Sequence, residues 1–400
     1  MNISDVVALT SPTGATLLAE LAGSAAVDPL VVAQRLRREG HDPALAALAM
    51  TQVRLRARAG AKFGERAQRL LFTAAGAEQA TRSVVAAEHA RRFLGAGVTR
   101  VADLGCGVGA DSLAFLDAGL TVLPVDADPV TAAIARHNLG IDVRCADVTA
   151  GVVTELGHDD GAWFDPARRS SSGRRVFDPE ATSPPLSFVL ETARRIPATG
   201  AKLAPGLPHQ LVPPGAEAQW TSVNGDVVEC ALWSGPLARE GVARSARVVV
   251  GDVAHELDDR AMPAAEVGDV GGFLHEPDGA VIRAGLVEAV AGDLGGHLLD
   301  ETIAYVSTEA DVTSPFVRSF SVQEVMPFGL KSLRARLRAL DVGALTVKKR
   351  GTAVDPDHLR KQLALKGSQP ATIVLTRLRG KQSVLLVTPR PAHRGGSGRA

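Results

Sequence analysis

Carboxylates and closely spaced glycines dominate one stretch in the first third of the chain. Asp103 ends a short apolar run, and glycines follow at three alternate positions: Gly105, Gly107 and Gly109. Such a turn lets a ligand approach the main chain, whose N–H groups and helix N-terminus can then hold it. A second carboxylate, Asp126, ends the next apolar run and is placed to accept both hydroxyls of a ribose. The stretch therefore predicts binding of an adenosine-containing ligand.

The same stretch has the alternation of a β-α-β unit, which positions these groups. The apolar run that ends in Asp103 predicts a buried strand, and the apolar spacing after Asp111 predicts a helix that Gly119 ends. A second strand is predicted at residues 122–125, and Asp128 caps the helix that follows. The glycine turn is therefore expected at the carboxyl end of the first strand.

Two adenosine-containing cofactors satisfy parts of this pattern. Gly105, Gly107 and Ala110 also meet the loose fingerprint of dinucleotide-binding folds, so the glycines alone leave NAD open. Asp103 argues against NAD, because a carboxylate at the tip of the first strand repels a pyrophosphate. The same carboxylate suits the ammonium and sulfonium groups of S-adenosylmethionine (SAM).

The motif Asp-Leu-Gly-Cys-Gly-Val-Gly at residues 103–109, with a further acid at 126, resembles class I SAM-dependent methyltransferases. That class has an α/β, Rossmann-like fold with a seven-stranded sheet, which we expect here. A hairpin predicted at residues 219–233, with Asn224-Gly225-Asp226 at its turn, matches the antiparallel strands that close such a sheet. Nicotinamide folds do not usually end in this way, so the hairpin favours SAM.

Three shorter motifs give a narrower resemblance. Leu-Phe-Thr at 71–73, Glu-Gln-Ala-Thr at 78–81 and Ala-Arg-His-Asn-Leu at 135–139 resemble the trimethylguanosine synthase and tRNA methyltransferase branch. In that branch a segment before the first strand helps to close over SAM. The resemblance places Glu78 and Gln79 in this lid.

The resemblance implies one set of cofactor-binding residues: Glu78, Gln79, Asp103, Gly105, Cys106, Gly107, Gly109, Asp111, Asp126, Ala127, Asp147 and Val148. Asp103 and Asp111 are expected at the methionine end of SAM and in the glycine loop. Asp126 is expected at the ribose and Asp147 at the adenine amino group. We interpret Cys106 as a small residue that fits the turn, because the turn offers no base to activate a nucleophile.

Asp165 and Pro166 follow the fourth predicted strand and should open into the crevice at the carboxyl ends of the strands. We expect Asp165 to orient or deprotonate the methyl acceptor and Pro166 to fix the strand exit. Amino-methylating enzymes of the branch carry Asn or Asp, two prolines and an aromatic residue there. This chain has Ala167 and Arg168 instead, and the missing ring weakens the case for methylation of an exocyclic base amine.

Basic residues are concentrated at the C-terminal end of the chain. Residues 331–400 carry 16 Lys and Arg against 3 Asp and Glu, whereas the preceding residues carry 28 against 41. The segment around Val-Lys-Lys-Arg-Gly at 347–351 resembles the THUMP-like domain of certain bacterial methyltransferases, and true THUMP domains bind tRNA acceptor ends. RNA is therefore the expected partner, with these candidate contacts: Arg168, Arg169, Arg174, Lys348, Lys349 and Arg350.

The pattern along the chain predicts five regions. These are a helical N-terminal segment (1–95), the SAM-binding core (96–240), a connecting α/β region (241–325), a THUMP-like basic domain (326–390) and a disordered tail (391–400). The three cysteines are scattered, and the chain shows neither a signal-peptide pattern nor an apolar run of about eighteen residues, so we expect a cytoplasmic protein without membrane spans.

The sequence thus predicts a SAM-dependent methyltransferase that acts on RNA, either tRNA or rRNA, by in-line displacement without a metal. His275 and Glu276 resemble half a metal site, but no partners stand at ligand spacing. Three alternatives stay open: an RNA-binding protein whose SAM-binding core is inactive, a methyltransferase of a protein or small molecule, and a nicotinamide enzyme. The acceptor atom and the oligomeric state are not predicted.

Overall fold

The computed structural model describes residues 1–167 and 178–391. Its chain divides into two units. The first unit comprises Met1–Ala216 and Ala231–Arg239, and the second comprises Glu217–Cys230 and Glu240–Ala400. The predicted phosphate contacts Arg168, Arg169 and Arg174 lie outside the described residues, as does residue 392 onward in the predicted tail.

The first unit begins with helices and continues as alternating strands and helices. Its helices are α1 (Ile3–Thr10), α2 (Pro12–Glu20), α3 (Pro29–Arg38), α4 (Pro43–Phe63), α5 (Ala74–Gln79), α6 (Ser83–Gly95), α7 (Ala110–Asp117), α8 (Pro129–Leu139) and α9 (Leu186–Arg195). Its strands are β1 (Arg100–Leu104), β2 (Thr121–Asp126), β3 (Arg144–Cys145), β4 (Gly161–Phe164) and β5 (Thr199–Leu203).

Local signals fix where these elements begin and end. The Asp42 carboxylate caps α4 by accepting the Leu45 N–H, and Asp128 caps α8 by accepting the Thr131 N–H. Gly140 ends α8 in the left-handed conformation, as its position in the sequence indicates. β3 is only two residues long, so its edge of the sheet carries only two paired residues.

All pairings among the first five strands are parallel. The sheet has the order β3-β2-β1-β4-β5-β7-β6-β8-β9, where β6 is Glu217–Val223, β7 is Asp226–Trp233, β8 is Arg244–Val250 and β9 is Val253–Asp258. Asn224 and Gly225 join β6 to β7, both with positive φ, which confirms the predicted tight hairpin. β8 and β9 extend the seven expected strands to nine, because β8 pairs in parallel with β6.

The second unit contains a separate seven-stranded sheet. After β9 its elements are β10 (Phe273–Pro277), α10 (Gly279–Ala284), α11 (Val287–Asp293), β11 (His297–Asp300), β12 (Ile303–Thr308), β13 (Val317–Pro327), α12 (Leu330–Ala339), β14 (Val342–Lys349), α13 (Pro356–Leu363), β15 (Gln369–Leu378) and β16 (Lys381–Pro389). The strand order is β11-β12-β10-β13-β16-β15-β14. The predicted boundary at residue 326 falls within β13, which pairs with both β10 and β16.

Helices α12 and α13 cover one face of this second sheet. Leu333 and Leu337 of α12 and Leu359 and Leu363 of α13 are buried in one cluster with Ile373 of β15. Within each helix the two leucines are four residues apart, which places them on the same face of that helix. This part of the chain therefore forms the compact α/β module that the sequence predicts.

Helix α13 ends earlier than its sequence pattern suggests. Gly367 is the first glycine after the helix, but Ala364 takes the left-handed conformation directly after Leu363. Gly367 is needed elsewhere, because a Cβ atom there would lie 2.0 Å from the main-chain oxygen of Asp341. Only glycine permits that approach of the loop to the start of β14.

Within residues 1–167 and 178–391, no helix is long and apolar enough to cross a membrane.

Candidate functional site

The turn after β1 has three glycines in the left-handed region, with φ of 97° at Gly105, 56° at Gly107 and 91° at Gly109. The Gly105 N–H and the Cys106 N–H both donate to the Val125 main-chain oxygen at 2.9 Å, which ties the turn to β2. A Cβ atom at Gly107 would meet no atom within 4 Å. The turn therefore leaves open space beside its main chain, as close approach of a ligand requires.

Asp103 lies buried at the end of β1, with 1% of its surface exposed. The Ser112 hydroxyl donates to its Oδ2 atom at 2.5 Å, whereas Oδ1 is buried and has no hydrogen-bond partner among the described residues. Burial, and next the nearby Asp111 carboxylate, raise the pKa of Asp103 well above its usual range. A cationic group bound at Oδ1 would supply the missing partner and the missing charge. The ammonium of a SAM methionine fits this requirement.

Asp126 ends β2 beside the glycine turn. Its Oδ2 accepts the Gly107 N–H at 2.9 Å, and its Oδ1 accepts the Asp128 N–H at 2.9 Å. Each carboxylate oxygen can accept more than one hydrogen bond, so both can still receive a ribose hydroxyl. Burial raises the pKa of Asp126. The two main-chain bonds fix the orientation of the carboxylate in advance of any ligand.

Asp111 is at the start of α7, is buried, and has a protein partner on each of its carboxylate oxygens. The Thr81 hydroxyl donates to its Oδ2 at 2.7 Å, and the His89 Nδ1 atom lies 2.6 Å from its Oδ1. Burial alone would raise its pKa, but His89, Lys202 and Thr81 together hold the pKa of Asp111 below its ordinary value. This carboxylate links α7 to the segment before β1.

Lys202 of β5 connects the site in a way that the sequence analysis missed. Its Nζ atom donates to Asp165 Oδ2 at 2.8 Å, to the Thr81 hydroxyl at 3.0 Å and to the Gln79 main-chain oxygen at 3.5 Å. In the sequence, the only indication of this role was that a lysine interrupts the otherwise apolar run that forms β5. Asp165, Lys202, Thr81 and Asp111 thus form one polar chain.

This polar chain ends against aromatic rings. The His89 imidazole of α6 lies 4.1 Å from the Trp163 ring centroid and 5.7 Å from that of Trp233. Trp163 and Trp233 stack at 5.3 Å, and both are fully buried. These rings fix His89, and through it Asp111, in a water-excluded position.

Asp165 directly follows β4 and lies against the glycine turn. A Cβ atom at Gly105 would be 2.8 Å from the Asp165 main-chain oxygen. The Asp165 N–H donates to the Leu104 oxygen at 3.2 Å, and its side chain is 27% exposed. Pro166 is buried next to it, and Ala167 then pairs with Ser183 in an isolated bridge. The carboxylate of Asp165 is thereby held at the edge of the same crevice as the turn.

The segment that carries Glu78 and Gln79 is anchored by amide and ammonium groups. Asn138 bonds both the N–H and the oxygen of Leu71, at 2.8 and 3.0 Å, and Gln52 bonds both groups of Phe72 in the same manner. The Leu-Phe-Thr and His-Asn-Leu motifs therefore contact each other through Leu71 and Asn138. The side chains of Glu78 and Gln79 are exposed.

Lys62 of α4 holds the same segment from its other side. Its ammonium donates to the main-chain oxygen of Glu78, and to that of Ala80 at 2.9 Å. Burial, and next the nearby Lys202 charge, lower the pKa of Lys62 to about 8. Two lysines thus bind the consecutive carbonyl groups of residues 78 to 80.

The remaining predicted cofactor contacts differ in their surroundings. Burial raises the pKa of the Cys106 thiol well above its usual value, so the thiol stays protonated. Asp147 is exposed and accepts both the N–H and the hydroxyl of Thr149, at 2.8 and 2.7 Å, which lowers its pKa. Ala127 is exposed, whereas Val148 is buried.

In the second unit, two of the candidate RNA contacts face a carboxylate. Lys348 donates to Glu276 Oε2, and Arg350 lies 3.8 Å from Glu276 Oε1. Their cationic groups also lie over the Phe320 and Tyr305 rings, respectively. Lys349 is exposed and donates to the Val354 oxygen. The strand therefore presents less free positive charge than its sequence suggests.

His275, which together with Glu276 resembles half a metal site in the sequence, is enclosed by hydroxyl groups. Its Nδ1 lies 2.8 Å from the Ser319 hydroxyl and its Nε2 lies 2.9 Å from the Thr308 hydroxyl. Burial lowers the pKa of His275, so the ring is held neutral. In the described part of the chain, no group of three or more metal-binding side chains comes together.

Comparison with known families gives two partial matches. Residues 317–389 match a family described as THUMP domain-like. Residues 2–59 match a family described as a domain of unknown function, DUF8688.

Two relatives match most of the chain. Both are named uncharacterized S-adenosylmethionine-dependent methyltransferases, come from two strains of Mycobacterium tuberculosis, and are 37% identical to this chain over 333 residues. The match covers 81% of this chain and 90% of each relative. Among solved structures, a protein of Porphyromonas gingivalis proposed to be a methyltransferase has a TM-score of 0.70 at 23% identity, over 88% of this chain and 92% of that chain. At this identity the likeness shows a common fold.

We expect Asp103→Asn to stabilise the ligand-free protein at pH 8. Because the folded-state pKa of Asp103 is raised, ionisation destabilises the fold as pH rises through the ordinary carboxyl range, and the cost is complete above the folded-state pKa. An amide keeps the Ser112 hydrogen bond without the buried charge. The melting temperature should rise by roughly 2–4 °C per kcal/mol relieved.

The test of this prediction is thermal unfolding of both proteins at pH 8 and pH 4. The gain in melting temperature should shrink at pH 4, where about half of the unfolded carboxyl is protonated as well. Asp159→Asn, at an exposed carboxylate of the same unit, is the control and should change neither value. A gain that is equal at both pH values would show that Asp103 carries no charge penalty.

Proposed function

The chain belongs to the class I S-adenosylmethionine-dependent methyltransferases and carries a THUMP-like domain at its C-terminal end, and from this premise we propose that it methylates RNA, either tRNA or rRNA. The relatives confirm the expected enzyme class and the expected cofactor, SAM. The nicotinamide alternative is therefore wrong.

The observation that carries the proposal for catalysis is the contact between the glycine turn and the exit of β4. Gly105 lies directly against the Asp165 main chain, so a group bound over the turn is adjacent to the Asp165 carboxylate. SAM supplies a methyl group activated for in-line displacement, and the protein contributes mainly by placing the acceptor. Asp165 accepts a hydrogen bond from the acceptor, and Pro166 fixes the direction of the exit.

The cofactor would be held by the three carboxylates at the ends of neighbouring strands. Asp103 pairs with its ammonium, since Oδ1 has no donor among the described residues. Asp126 accepts the ribose hydroxyls, and Asp147 accepts the adenine amino group. Asp111 acts indirectly in this proposal, because its oxygens are bonded to Thr81 and His89. It positions the turn and the lid segment.

RNA is proposed as the substrate because the THUMP-like domain carries a basic surface. Lys331, Arg334 and Arg338 lie three and four residues apart on α12 and so share one stripe of that helix. Arg334 donates to the Gln362 oxygen, which places Lys361 of α13 beside the stripe. Lys331, Arg338 and Lys361 are exposed. No acidic side chain among the described residues pairs with any of these four.

We call these four residues, Lys331, Arg334, Arg338 and Lys361, the basic stripe. It offers more free charge than Lys348 and Arg350, which share Glu276. Basic side chains on such a surface neutralise RNA phosphates and release counterions. The proposed binding surface therefore shifts from β14 to α12 and α13.

We place this activity in the cytoplasm. All three cysteines of the chain, Cys106, Cys145 and Cys230, are free thiols in the structure. Unpaired thiols are typical of a reducing compartment.

We expect the purified protein to transfer tritium-labelled methyl groups from SAM to RNA from cells that lack this gene. Asp165→Ala should abolish transfer and leave SAM affinity within about twofold, because the carboxylate acts on the acceptor. Ribonuclease should then release the label. Label released by protease instead would contradict the RNA proposal, and SAM binding without any transfer would favour an inactive core.

Removing charge from the basic stripe should weaken RNA binding. In Lys331→Ala with Arg338→Ala, the log–log dependence of affinity on salt should become shallower by about one unit for each lost phosphate contact. Lys348→Ala is the matched control, since that lysine pairs with Glu276. The measurement is fluorescence anisotropy of labelled tRNA across salt concentrations. An unchanged salt slope in the double variant would remove the stripe from the interface.

A further inference from the structure

The acceptor-orienting residue Asp165 is paired with a buried ammonium. Lys202 Nζ lies 2.8 Å from Asp165 Oδ2, and the side chain of Lys202 is only 7% exposed. A buried cation requires a negative partner, and removing that partner is strongly destabilising. An asparagine at position 165 could accept the same hydrogen bond but could not neutralise this charge. The structure thus selects a carboxylate where the resembling branch accepts either Asn or Asp.

The other oxygen of the same carboxylate remains available. Among the described residues no donor bonds to Asp165 Oδ1, and the side chain is 27% exposed at the edge of the crevice. Asp165 therefore presents one oxygen to Lys202 and one to whatever enters beside the glycine turn. A carboxylate held in this way can take a proton as well as orient a donor.

Amine and hydroxyl acceptors make different demands on this residue. An amine attacks through its lone pair and its product can lose a proton to water afterwards, so an amide that orients it is sufficient. A hydroxyl becomes acidic as its oxygen–carbon bond forms, and a positioned base must take the proton. A carboxylate that is held in place by an ion pair therefore suits a hydroxyl acceptor.

The described part of the strand exit, which runs to Ala167, also offers no exposed ring on which a base could stack. The residue after Pro166 is Ala167, which has no ring to stack on a nucleobase, and it is engaged in a bridge with Ser183. The neighbouring ring, Phe164, is fully buried. At this position the strand exit can contact a small polar group, but it offers no ring on which a base could stack.

We propose that the acceptor is a hydroxyl oxygen of RNA, the ribose 2′-hydroxyl, and that Lys202 is the positioning residue that holds the Asp165 carboxylate turned toward it. This inference rests on the proposed RNA methylation. The hydroxyl oxygen forms a bond to the methyl carbon, and the bond from that carbon to sulfur breaks with its electron pair left on sulfur. The hydroxyl proton goes to Asp165 Oδ1 and from there to water.

The position of the label in RNA tests the acceptor directly. A 2′-O-methyl group blocks alkaline cleavage of the adjacent phosphodiester, so alkali should leave the tritium in dinucleotides. Label in mononucleotides would overturn the hydroxyl proposal while RNA methylation itself stands. An absence of ribonuclease-sensitive label would overturn both, so the two failures are distinct.

Variants of Lys202 and Asp165 test the role of the ion pair. Lys202→Met and Asp165→Asn should each lower kcat by about 100-fold or more, with SAM affinity changed no more than about twofold. Lys202→Arg, which keeps the positive charge, should recover part of kcat. Asp165→Asn leaves the Lys202 charge unpaired, so melting temperature and SAM affinity are measured beside kcat to separate loss of the base from loss of the fold. Near-normal turnover by Asp165→Asn would overturn the proposal, because an amide cannot take the proton.

Discussion

The proposed cofactor site depends on one buried carboxylate oxygen that has no hydrogen-bond partner among the described residues. Asp103 Oδ1 is sealed from water at the tip of β1 and receives no hydrogen bond from the described residues. Leaving such an atom unsatisfied costs free energy in the ligand-free protein. Ser112 offsets part of that cost by donating a hydrogen bond to the other oxygen of Asp103. Binding of a cation there would relieve the cost, and we propose that this relief contributes to the affinity for SAM.

The groups around Asp103 are held by a second constraint, the need to supply hydrogen-bond partners to two lysines that are wholly or partly buried. Lys202 is satisfied by Asp165, Thr81 and the Gln79 oxygen, and Lys62 by the oxygens of Glu78 and Ala80. The lid segment and the strand exit therefore share one cation, Lys202. A movement of either one changes the surroundings of the other, which couples cofactor enclosure to the acceptor side of the crevice.

The sequence predicted the elements whose signals are local. Capping by Asp128, the Asn224-Gly225 turn and the leucine spacing of α12 were each readable from neighbouring residues. Contacts between distant residues were not, because a single sequence carries no record of which side chains meet. Lys202 appeared only as an exception in an apolar strand, and the pairing of Lys348 with Glu276 across 72 positions gave no local signal. The positions of the carboxylates could be predicted, whereas their partners required the structure.

The most direct test compares two ligands on two proteins by calorimetry. SAM carries the methionine ammonium, whereas 5′-methylthioadenosine shares the nucleoside but lacks the amino-acid end. Wild-type protein should bind SAM far more tightly than methylthioadenosine, and Asp103→Asn should lose most of that preference, by about 1.5–3 kcal/mol for a charged hydrogen bond. Its affinity for methylthioadenosine should stay close to that of the wild type. An undiminished preference in the variant would contradict the central role given to the unpaired oxygen of Asp103.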